Sequence, residues 1–158
     1  MKQTKIAQIL KVFSVLTAIV GGVFFFWYIP ALIEEMAMMN DLEWLRWPGT
    51  FGVWIIALLC YIALYCFWKI CVQIGKENSF CRENAFAMKT IGILAIVASV
   101  TVLFGDIVLS TLSLLNGAMI VFSFFVIFVG CGIAVICFAL SQLIKNATEI
   151  KEENDLTV

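Results

Sequence analysis

Residues 91–115 read IGILAIVASVTVLFGDIVLSTLSLL, 25 positions that carry one charge, Asp106. As an α-helix the run would extend about 37 Å, more than the ~30 Å of hydrocarbon in a bilayer. Working outward, three further runs share its character, at residues 12–33, 51–74 and roughly 119–140. A segment in lipid has to satisfy its own backbone hydrogen bonds, so these runs are expected to be helices. The period-two alternation of a membrane barrel is absent. Composition agrees. Of 158 residues, 63% are hydrophobic and 13% charged, with a mean hydropathy of +1.06, whereas a soluble domain is about half apolar and a quarter charged. The expected architecture is an all-α integral membrane protein, one domain over residues 1–158, with four transmembrane helices in a compact bundle.

The first run is preceded by Lys2, Lys5 and Lys11. It is too long for the apolar region of a signal peptide and no small-x-small site follows, so an uncleaved span is expected. Lys76, Arg82 and Lys89 lie between the second and third runs, and Lys145 and Lys151 follow the fourth. The segment 34–50 holds Arg46 against Glu34, Glu35, Asp41 and Glu43. Eight basic residues thus fall on one side and one on the other. The positive-inside rule places both termini, the loop 75–90 and the tail 141–158 in the cytoplasm. Trp27, Tyr28, Trp44, Trp47 and Trp54 cluster toward the opposite interface, the layer that indole and phenol rings prefer. Between Ala37 and Trp47 the chain alternates Met and acid, which reads as a short helix or turn on the lipid surface closed by Pro48-Gly49.

Several chemistries are disfavoured at once. The chain has no histidine, which removes the commonest general base and the usual nitrogen ligand of zinc. Its six cysteines, Cys60, Cys66, Cys71, Cys81, Cys131 and Cys137, include no C-x-x-C, and five sit in apolar runs where a thiol serves as a small hydrophobe. No metal, cofactor or disulfide framework is expected. A net charge of −1 with scattered Lys and Arg gives no basic face for nucleic acid. No Ser, Cys or acid has a plausible base or orienting partner, so an enzyme is not expected.

Asp106 is the one acid inside a span. Lys69 lies ~15 Å away in depth by helical rise and is expected to snorkel to the headgroups instead. The acid is expected to hydrogen-bond Ser110, Ser113, Asn116 or Ser123, or to reach Arg46. An interhelical clasp is the preferred reading, and a titrating group in a proton or ligand path the alternative. Ser123, Gly130, Ala134, Cys137 and Ser141 form a stripe of small residues along the last span, and Ala18 and Gly22 a shorter one on the first. Such stripes let helices approach closely, and leave open whether the neighbour belongs to the same chain or to a second copy.

On the cytoplasmic side, Ser79 is placed to cap a helix beginning at Phe80, with Glu83 in its first turn, running on into the third span. Phe80, Asn84, Ala87 and Ile91 would share one side of it, and Arg82, Ala85 and Lys89 another. The last span continues outward with Leu140, Leu143, Ala147, Ile150 and Asn154 recurring at three and four. Lys76, Arg82 and Lys89 are expected to meet Glu149, Glu152, Glu153 and Asp155.

These two pieces also carry a resemblance. GKENSFCRENAFAMKTIG, residues 75–92, is similar to a G-x-x-F-x-x-E-N signature followed by a basic residue and Ile-Gly, found in the DUF2975 family of small bacterial membrane proteins. Gly75, Phe80, Glu83, Asn84, Lys89, Ile91 and Gly92 carry the match, with Glu77 and Asn78 lengthening its first part. The closing ATEIKEENDLTV resembles the same family's C-terminus through Ala147, Glu153, Asn154, Asp155, Leu156, Thr157 and Val158. The resemblance implies a multi-pass protein of a bacterial cell membrane. It brings no assigned activity, but members of the family are often encoded beside a short helix-turn-helix regulator.

The functional expectation is therefore a non-enzymatic membrane scaffold. Its partner-binding residues would be Phe80, Arg82, Glu83, Asn84, Lys89, Ile150, Glu153, Asn154, Asp155, Leu156 and Val158. Its partners would be membrane lipids and a small cytosolic helix-turn-helix regulator, with homo-oligomerisation left open. The alternatives are immunity or stress protection against an external peptide through residues 34–50, and a small transporter using Asp106.

Overall fold

A computed structural model describes residues 2–76 and 78–156. The described residues form helices joined by short turns. Helix α1 (Lys2–Val23), a π-helical turn (Phe24–Tyr28) and α2 (Ile29–Met39) form one continuous leg. After a 3₁₀ turn (Glu43–Leu45) come α3 (Arg46–Gly75), α4 (Arg82–Thr111) and α5 (Gly117–Leu156). Four helices are thus long and apolar enough to cross a membrane.

The π turn has a local cause. Pro30 has no N–H to give, and its ring crowds the carbonyl four residues back, at Phe26. Widening the turn relieves both, with the Ile29 N–H reaching the Phe24 carbonyl. Beyond it, strong helix formers from Ala31 to Met39 carry the leg on. The segment between Ala37 and Trp47, expected as a short helix or turn, begins with the last turn of α2 and continues as a tight reversal and the 3₁₀ turn. Asp41 takes a left-handed φ of 53°, and the Leu42 N–H bonds the Ala37 carbonyl at 2.9 Å, closing a Schellman-type cap. Pro48-Gly49 does not end an element. It lies in the first turn of α3, where a missing N–H costs no helical bond. The third span also stops earlier than expected, at Thr111, through the same cap geometry. Ser113 has φ 57° and the Leu114 N–H bonds the Leu109 carbonyl at 3.0 Å. Asn116 then caps α5, its Oδ1 accepting the Met119 N–H at 2.9 Å.

The compact bundle takes the form of a row. The first leg packs on α3, α3 on α4, and α4 on α5 in the most extensive interface. Among the described residues, the first leg makes no close approach to α4 or α5. Small residues set each crossing. A Cβ on Gly92 would stand 3.2 Å from the Ala134 carbonyl oxygen and 3.3 Å from the Cys137 Cβ. A Cβ on Gly130 would collide with the Ser99 hydroxyl. On the other side, the Tyr61 hydroxyl donates to the Ala18 carbonyl at 2.7 Å and lies 3.0 Å from where a Gly22 Cβ would stand. Both stripes are therefore used within the chain. The buried core is mostly Ala, Ser and Cys, while Val, Ile, Leu and Phe point outward, the arrangement suited to lipid as solvent.

Asp106, half-buried in α4, accepts a hydrogen bond from the Ser123 hydroxyl of α5 at 2.8 Å. Arg46 pairs instead with Glu34 at 3.0 Å, tying α2 to α3. Lys69 lies 4.8 Å from the Tyr65 ring centroid. All six cysteines are free.

Candidate functional site

The start of α1, the far end of α5 and the α3–α4 turn share one end of the molecule. A Cβ on Gly75 would stand 3.4 Å from the Ala7 Cβ, and the Ser141 hydroxyl donates to the Ala85 carbonyl at 2.7 Å. Trp27, Tyr28, Trp44, Trp47 and Trp54 lie toward the other end, all exposed.

The turn after α3 is built around one side chain. Asn84 is 2% exposed, and its amide donates to the Ser79 carbonyl at 2.9 Å and toward the Asn78 carbonyl at 3.5 Å. The expected helix start therefore moves. Cys81, extended at φ −143°, is the N-cap residue, without a side-chain cap bond, and Arg82 is the first helical residue. Ser79 contributes its carbonyl to Asn84 and does not cap. Phe80 lies in the turn, off the helix, and is exposed. Asn84 is corrected as a contact residue: buried behind the loop it holds, it cannot touch a partner. Burial also pushes the Cys81 thiol above its ordinary pKa.

Beside this turn, α4 and α5 open a groove of about 300 Å³ lined by Arg82, Ala85, Phe86, Lys89, Ser141, Lys145 and Glu149. Arg82, Phe86 and Lys89 stand one above another on α4 because residues three and four apart share a face. Ser141, Lys145 and Glu149 do the same on α5. Lys145 Nζ lies 3.9 Å from Glu149 Oε1 along its own helix. Of the loop cations and tail acids expected to meet, Arg82 and Lys89 share this groove with Glu149, whose ion pair at this distance is with Lys145 of its own helix. Glu83, on α4, is exposed, as are Ile150 and Glu153 farther out on α5. The side chains of Asn154, Asp155 and Leu156, and all of Val158, lie outside the described residues.

Sequence reasoning missed Phe86, whose ring is 73% exposed at the groove wall. Its spacing from Arg82 and Lys89 was the available signal. Among the described residues no group of His, Cys, Asp and Glu is gathered to hold a metal.

Residues 31–158 match the family described as "Protein of unknown function (DUF2975)". The uncharacterized membrane protein YoaS of Bacillus subtilis (strain 168) is 29% identical over 123 residues, covering 77% of each chain. No solved structure matches.

Proposed function

The chain belongs to the DUF2975 family, and on that premise we propose a non-enzymatic scaffold in a bacterial cell membrane that docks a small cytosolic helix-turn-helix regulator at its terminal end. One observation supports this above the others: the reach of α5. Its 40 residues extend ~60 Å, against ~30 Å of hydrocarbon and ~45 Å for a 30-residue helix such as α3 or α4. The surplus stands in water beside the α3–α4 turn and carries Ile150, 60% exposed, among Lys145, Glu149, Lys151 and Glu153. An apolar residue on a charged, projecting helix suits a partner that supplies the other half of a helix–helix contact.

Phe80 and Glu83 on the turn and first helical residues, with Ile150 and Glu153 on α5, form the water-facing part of this surface. Arg82 and Lys89 form its membrane-side rim. Asn84 acts through the loop it fixes. Asp106, engaged by Ser123, serves the helix pair in this reading. Chemistry is given no residues here: the Ser141 hydroxyl is committed to the Ala85 carbonyl, and the chain has no histidine to act as base.

The test is recovery from native membranes. Full-length protein and a chain lacking residues 148–158 are solubilised and captured in parallel. A small helix-turn-helix protein enriched with the full-length chain alone is the expected result. Equal enrichment with both would remove α5 from the docking surface, and enrichment with neither would remove the regulator.

A further inference from the structure

We propose that the groove between α4 and α5 binds the headgroup of an anionic phospholipid. Depth is the first reason. Residues 91–111 of α4 account for ~31 Å of rise, one hydrocarbon thickness. Lys89 therefore stands at the hydrocarbon edge, and Arg82 about 10 Å farther out by helical rise. The bond from Ser141 to the Ala85 carbonyl fixes α5 against this scale. One turn outward from Ser141, Lys145 comes level with Arg82. The groove thus runs along the membrane normal, from the hydrocarbon edge at Lys89 across the headgroup layer, ~5–7 Å thick on each side, to Arg82 and Lys145 at its water side, whose long side chains reach back into that layer.

Charge is the second reason. Among the described residues the lining carries three cations, Arg82, Lys89 and Lys145, and one carboxylate, Glu149, which pairs with Lys145 along α5. Basic pockets between transmembrane helices at this level suit phosphate-bearing headgroups. A phosphate there would be met by Lys89 from below and by Arg82 and Lys145 from above, through charge-assisted hydrogen bonds.

The third reason is what lies beside the charges. The exposed Phe86 ring stands between Arg82 and Lys89 in the headgroup layer, and one turn toward mid-membrane from Lys89 the same face of α4 exposes Ile93, with Phe138 of α5 packed beside Gly92. Acyl chains of a lipid held by its phosphate would follow these side chains. A soluble anion would leave them uncovered. The inference does not require regulator docking, whose water-facing surface lies at Phe80, Glu83, Ile150 and Glu153, although the two would share Arg82 and Lys89.

Native mass spectrometry of the full-length protein, with phosphatidylglycerol, phosphatidylcholine or inorganic phosphate added, tests it. The wild-type chain is expected to retain phosphatidylglycerol over phosphatidylcholine. The double variant Lys89→Gln with Lys145→Gln should lose at least about tenfold in retention, since each basic residue near an anionic lipid surface contributes measurably. Glu149→Gln, an exposed change with little bearing on folding, should strengthen retention. Lys11→Gln with Lys69→Gln, two cations at the same end but beside Trp68 and Tyr65, should leave it unchanged. Absence of lipid preference in the wild type, equal retention by the Lys89/Lys145 variant, weaker retention by Glu149→Gln, or equal loss in the Lys11/Lys69 control would each overturn the site. Thermal stabilisation by inorganic phosphate as large as that by phosphatidylglycerol would assign a soluble anion instead and overturn the lipid.

Discussion

Asn84 shows how a recognisable residue and a contact residue can part company. Its neighbour Glu83 is exposed, while Asn84 is turned inward to hold the Ser79 carbonyl. Replacing it with Ala leaves a part-buried acceptor unmet, at a cost of about 1 kcal/mol. A lower melting temperature in detergent, with helix content unchanged, is the expected reading. Asp106 is the second test at this scale. Asp106→Asn keeps an oxygen for Ser123 and should change stability little. Asp106→Ala should cost roughly 0.6–1.7 kcal/mol, the range of hydrogen bonds between transmembrane helices. In a double-mutant cycle with Ser123→Ala the two losses should not add. Cys81 is predicted to be a slow thiol. Its pKa is raised by burial, so at pH 8 it holds less thiolate than an exposed cysteine. Alkylation should lag well behind that of a cysteine placed at Lys76.

At the scale of elements, caps and crossings decide where helices end and how near they come. Ser113 holds a left-handed backbone conformation at the C-terminal cap of α4, a position that favours glycine. Ser113→Gly is expected to raise stability by up to about 1 kcal/mol, read as a higher melting temperature. Gly92 behaves oppositely. Any side chain there meets the Ala134 backbone and Phe138, so Gly92→Leu should separate α4 from α5 and cost about 1–3 kcal/mol or more. The element boundaries were only partly legible in the sequence. Run length announced four spans, but the end of the third depends on a cap whose signal, a Ser in place of Gly, is weak. The continuation of the first leg to Met39 was hidden by a charge pattern that suggested an interface segment. The helical preference of those residues outweighed it.

For the whole molecule, the row of helices means that most apolar side chains meet lipid. The small-residue stripes, which left a second copy open, are used up by α4 against α5 and by the first leg against α3. The orientation expected from the basic residues has a direct check. In intact cells an impermeant maleimide should modify a cysteine placed at Met39, and should reach one at Lys76 only after permeabilisation. The reverse pattern would put the α5 extension outside and leave a cytosolic regulator nothing to bind.

Length, composition and charge asymmetry were enough to determine a four-span helical membrane protein with a distinctive terminal end, because a bilayer admits few structures for such a chain and each follows from local hydropathy. The partners of the polar residues were decided only in three dimensions. Asp106 had several candidate partners, and Ser123 was selected by the rotation and depth at which α5 crosses α4. Asn84 and Arg82 lie two positions apart in one turn, yet one is buried and the other lines a groove. That division follows from which face of α4 the turn and α5 cover, and helix packing settles it where sequence spacing cannot.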